Sequence, residues 1–158
     1  MANTQSMCTS FMSELMTATH NFGTAPVRAA STADTFKAAL YLASATVNAS
    51  TTAYSSTGEV TGTGYSAGGV TVTNATPPAS TNTSATAGTA YWTPSASITY
   101  TTVTLTTAFD AVLIYNSTQS NKAVSVHTFG SQTVTAGTFT LTMPSNTTST
   151  ALLRLATT

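Results

Sequence analysis

Apolar and polar positions alternate along much of this chain. Phe139, Leu141 and Met143 interleave with Thr138, Thr140 and Thr142, and Val70 and Val72 interleave with Thr71 and Thr73. A period of two with one apolar face is the pattern of half-buried antiparallel strands. Strands are predicted at residues 36–42, around Val60, and at 70–73, 89–92, 98–105, 111–115, 123–129, 138–143 and 151–155, with turn-forming residues between them. The run Ala111-Val112-Leu113-Ile114-Tyr115 is apolar throughout, which predicts a central strand covered on both sides. Within residues 98–105 the apolar phase slips by one between Tyr100 and Val103, and a β-bulge at Thr101 or Thr102 would absorb the slip. Short strands at this spacing, with no helix between them, predict an all-β antiparallel β-sandwich, and specifically a jelly roll.

The opening segment has a different period. Between residues 9 and 19, Phe11, Met12, Leu15 and Met16 recur on one helical face, with Thr9 or Ser10 as the cap and Gly23 able to end the helix in a left-handed turn. Residues 1–23 therefore read as a helical segment or arm, and residues 24–158 as a single β-sandwich domain. Within that domain, residues 74–88 carry Pro77, Pro78 and almost no apolar bulk, which predicts a long exposed loop. The apolar helical face either covers one end of the β core or docks on a neighbouring subunit.

Composition strengthens the β assignment, since about every fourth residue is Thr, a β-branched residue suited to pleated surfaces. Only 5% of residues are charged and the formal net charge is zero, so copies repel one another weakly and self-association is expected. Four Lys and Arg scattered along the chain cannot form the basic stripe that nucleic acid requires. No apolar run is long enough for a transmembrane helix, so no membrane partner is expected. Cys8 is the only cysteine, so no intrachain disulfide forms. The first residues lack a basic stretch followed by an apolar one, and folding in a cytoplasm is expected. The sequons at Asn48, Asn74, Asn82, Asn116 and Asn146 are close to what a Ser/Thr-rich chain produces by chance.

Catalytic motifs are sparse. The acids Glu14, Asp34, Glu59 and Asp110 are far apart in sequence, and no nucleophile elbow lifts a serine near His127 above coincidence. His20, His127 and Cys8 lack metal-ligand spacing. The glycines of residues 58–69 have no Lys-Ser/Thr pair after them and read as tight turns rather than a phosphate loop. No enzyme activity, metal or cofactor is expected.

Several stretches together resemble a family of small structural proteins of tailed bacteriophages. They are residues 36–54 (FKAALYLASATVNASTTAY), 58–69 (GEVTGTGYSAGG), 111–130 (AVLIYNSTQSNKAVSVHTFG) and 133–144 (TVTAGTFTLTMP), with Ser10-Phe11, Glu14-Leu15 and residues 20–23 at the start. The family pattern carries Lys where this chain has Met12 and Gly where it has Ala18, so the helical face is more apolar here. The resemblance implies a virion component folded in the host cytoplasm, with capsid decoration (cement) proteins of jelly-roll type as the nearest class. Such a protein would be a homo-oligomer, first of all a trimer, binding the major capsid protein. Phe11, Met12, Leu15, Met16 and Trp92 are the candidate subunit or capsid contacts. The alternative is a carbohydrate- or receptor-binding β module of a head fibre or tail, with Tyr65, Tyr91, Trp92 and Tyr100 stacking on sugars.

Overall fold

The computed structural model describes residues 3–16, 19–20, 22, 33–81 and 88–156. In chain order the elements are β1 (Ser6–Met7), α1 (Thr9–Met16), β2 (Phe36–Leu42), β3 (Val70–Thr71), β4 (Ala79–Ser80), β5 (Thr89–Trp92), β6 (Ile98–Asn116), β7 (Lys122–Leu141) and β8 (Leu153–Ala156). They form a five-stranded sheet of order β1-β7-β6-β2-β3 and a three-stranded sheet of order β4-β5-β8. All pairings are antiparallel. The chain is thus all-β with two antiparallel sheets and a short N-terminal helix, as the periodicity predicts. The strand orders do not by themselves define a jelly-roll winding.

The sequence reading divided β6 and β7 into two strands each, and here the structure differs. Both run unbroken through residues that carry no apolar signal, Thr106-Thr107-Ala108 on β6 and the mostly exposed stretch 130–138 on β7. They stay paired because their irregularities cancel. Tyr100 faces Phe139 but Val103 faces Gly137, so β6 carries one extra residue at the predicted place, with Thr102 at φ 53°. By Leu105 facing Val134, β7 has spent an extra residue of its own, with Ala136 at φ 46°. A second opposed pair of shifts around Phe109 restores the register, so that Ala111 faces Thr128. The bulge lets Tyr100 (2% exposed) and Val103 (1%) share the buried face although they lie an odd three positions apart.

Residues 111–116 are buried on both sides, as an all-apolar run requires. Loop 53–69 lies over the sheet and is held by tyrosine hydroxyls. Tyr115 of β6 donates to the Gly68 carbonyl at 2.8 Å and Tyr65 accepts from the Leu40 amide of β2 at 3.0 Å, while within the loop Tyr54 and Tyr65 donate to the two oxygens of buried Glu59 at 2.6 and 2.7 Å. The Gly68 amide supplies a third donor to Glu59 at 2.8 Å, so the carboxylate is solvated by the fold in place of water. The predicted strand at Val60 is only an isolated bridge, Glu59 to Tyr41. The glycines do serve turns and close approach: Gly69 has φ +70°, and a Cβ there would collide with the Ala38 carbonyl oxygen.

The two sheets share one core through aromatic rings. Phe22 stacks on Phe36 of β2 at 4.5 Å and meets Trp92 of β5 edge-on at 4.8 Å, and all three rings are buried. The described part of residues 74–88 is more than a loop. Residues 75–80 are exposed as predicted, but Ala79 and Ser80 pair with β5, and Asn74 accepts from the Trp92 indole at 2.9 Å while donating to the Phe22 carbonyl at 2.7 Å. Residues 82–87, like the predicted helix stop at Gly23, lie outside the described residues.

Candidate functional site

Phe11 and Leu15 of α1 converge with the distant Trp92 of β5 on one apolar groove. It has a volume of about 80 Å³ and runs between α1 and the three-stranded sheet, with Met7, Tyr91 and Leu155 completing its wall. Phe11 and Trp92 form its floor and are each only 2% exposed. They are therefore core residues of this chain, a correction to the expectation that they offer a free contact surface. Leu15 is half-buried, packed against the core. The side chains of Met12 and Met16 lie outside the described residues. Leu155 on β8, at 40%, is the large apolar side chain of the site that is exposed, beside the exposed Pro78, Ala90 and Arg154. Its signal in the sequence was weak, a lone Leu after Arg154 near the chain's end; only the pairing of β8 with β5 sets it beside Tyr91 and Trp92.

A buried polar network fixes the wall that α1 provides. His20 meets Glu14 at 2.7 Å through Nε2 and Asn116 at 3.0 Å through Nδ1. A neutral ring protonated at Nε2 satisfies both, donating to Glu14 and accepting from Asn116. Burial lowers the His20 pKa, outweighing the opposing pull of Glu14 and Asp34. Asn116, fully buried, gives its other amide proton to Asp34 at 2.7 Å and accepts from the amides of Thr118 and Gln119 at 3.1 Å. Glu14 also accepts from Lys122 at 2.7 Å; burial raises its pKa, but the bonds and charges of Lys122 and His20 outweigh that and hold it low. The neighbouring Cys8 thiol is buried, and burial with the Glu14 charge pushes its pKa up to about 11, which leaves it protonated and unreactive.

A cleft of about 660 Å³ opens where β1, β7 and β8 approach, and includes Gln5, Ser125, His127, Thr150 and Arg154. Ser125 and His127 project to one side of β7, and the Ser125 hydroxyl lies 2.9 Å from His127 Nε2. Burial lowers the His127 pKa to about 4, so the ring is neutral at pH 7 and its Nε2 shares a hydrogen bond with the hydroxyl whose direction follows the ring tautomer. Ser125 is fully buried, which keeps its oxygen from any molecule in the cleft. Arg154 donates to the Ser149 carbonyl at 2.8 Å. No cluster of three His, Cys, Asp or Glu suited to a metal occurs among the described residues.

Of the aromatics that a sugar-binding surface would use, Trp92 and Tyr100 are buried at 2%, and Tyr65 is bonded to Glu59 and to the Leu40 amide. Tyr91 alone of the four stands partly exposed at the groove without such ties. The chain matches no family model, no curated protein and no solved structure.

Proposed function

We propose that this chain is a structural protein of a tailed-bacteriophage virion, a capsid decoration protein that binds between major capsid subunits and stabilises the head. The apolar groove between α1 and the small sheet carries the reading. Its floor is built into the core, its rim at Leu155 is left to solvent, and its wall is braced by the Glu14-His20-Asn116-Asp34 network. A rigid apolar recess of this size takes an apolar side chain from a neighbouring subunit, and hydrophobic burial contributes roughly 25 cal/mol per Å² with no demand for charge. The scarcity of charge, 5% of residues, suits many copies crowded on one shell. In this reading the Ser125–His127 pair is structural, and the protein works as a homo-oligomer with the major capsid protein as its partner.

A reconstruction of the intact particle tests the proposal. Density for this chain is expected on the outer face of the head, with the Leu155 groove against a capsid subunit. Density at the tail or head fibre, with Tyr91 turned outward, would favour the receptor-binding alternative instead.

A further inference from the structure

The distal half of β7 is paired on one side only. β6 accompanies it along its length, whereas on the other side β1 meets it only at Ser125 and Val126. Among the described residues nothing pairs with the outer edge of residues 128–141. Open edges invite a further strand, and monomeric proteins protect them with charged side chains, proline or bulges. Residues 128–141 contain no Asp, Glu, Lys, Arg or Pro. Bulges are present, at the register shifts near Val134 and Gln132, but they twist the ribbon without supplying partners for its outward amides and carbonyls. An apolar depression of about 270 Å³, lined among others by Phe129, Phe139, Leu141 and Met143, adjoins the same stretch.

We propose that the outer edge of β7 is a strand-pairing site for β7 of a second copy of this chain. Length identifies the occupant. The open stretch of β7 covers residues 128–141, whereas among the described residues the edge strands β1, β3, β4 and β8 have 2, 2, 2 and 4 residues, and the outer edge of β6 beyond its pairing with β2 is met by loop residues 62–64 at Thr102 and Thr104, so another β7 offers the open edge of matching reach. Charge agrees with this. Near the two-fold axis, antiparallel self-pairing sets residues close to their own counterparts, which is destabilising for charged side chains and harmless for Thr, Val and Gly. Antiparallel pairing of identical strands is two-fold and closes on itself, joining two five-stranded sheets into one and covering the open edge of β7 in both copies. The free chain is then a dimer rather than the trimer that the family resemblance implies. The inference does not depend on the virion reading and is tested without a particle.

Thr133 and Thr138 are exposed near the middle of the stretch, so in a centred pairing each lies close to the other's counterpart. Light scattering at micromolar concentration is expected to return the mass of two chains. Hydrogen exchange is expected to find protection at those amides of residues 128–141 that point away from β6. The double variant Thr133→Lys, Thr138→Lys should become monomeric with its melting temperature kept and that protection lost. Mixing it with Thr133→Glu, Thr138→Glu should restore the dimer, because opposite charges then face each other. A monomeric or trimeric wild-type protein would overturn the proposal, as would a dimer that survives the lysines or rapid wild-type exchange at those outward amides.

Discussion

The Lys122 ammonium donates to the Glu14 carboxylate at 2.7 Å, tying α1 to the first residue of β7 across 108 positions of sequence. The Lys122 side chain is 38% exposed, and an ion pair so open to solvent contributes under about 1 kcal/mol. Phe11, at 2% exposure, anchors α1 far more strongly, since truncating a buried Phe costs about 3–5 kcal/mol. Denaturant unfolding should therefore show a small loss for Lys122→Met and a large one for Phe11→Ala. Deletion of residues 1–22, which removes buried Cys8, Phe11, His20 and Phe22, should leave a body that does not fold.

Two glycines should respond in opposite ways to alanine. Gly69→Ala places a Cβ against the Ala38 carbonyl at a φ of +70°, and its cost combines backbone strain of about 1–3 kcal/mol with the collision. Gly130→Ala meets nothing within 4 Å and removes unfolded-chain freedom, so it should be neutral or stabilise by up to about 1 kcal/mol. Melting temperatures of the two variants check the contrast.

Tyr65→Phe should cost about 1–3 kcal/mol by the same measurement. It deletes no apolar contact, but it leaves the Leu40 amide without its acceptor at 3.0 Å and strips one donor from Glu59.

Acidification should destabilise the protein through His127. Its folded pKa of about 4 lies below the ordinary 6.5, so the unfolded chain binds this proton more readily than the folded one. The stabilisation is complete above pH 6.5 and declines as the pH falls towards about 4. His127→Gln should flatten the dependence of melting temperature on pH in that window. A residual slope should persist, because burial lowers the His20 pKa as well.

Leu155→Asp should abolish binding at the groove while leaving the fold intact, since Leu155 is 40% exposed and contributes little to the core. Unchanged melting with lost occupancy on purified heads is the expected pair of results. Full occupancy would remove the groove from the proposed function.

Local chemistry made the strand content, the extents of β2 and β5 and the bulge beside Thr102 readable in the sequence. Each depends on neighbours within a few residues: alternation sets which side chains share a face, and a phase slip in that alternation requires an extra residue. The continuity of β6 and β7 was not readable, because Thr106 to Ala108 lack alternation and are held in the sheet by compensating bulges on the partner strand. Nor was the fate of the N-terminal face. An apolar helical stripe is the same stripe whether it covers its own core or another subunit's. What decided between them was the arrival of Phe22, Phe36 and Trp92 around Phe11, and of Asn116 and Lys122 around His20 and Glu14. Those encounters span up to 108 residues and arise only when the sheets close, so the sequence by itself determined which surfaces had to be buried, and the tertiary structure alone decided against what.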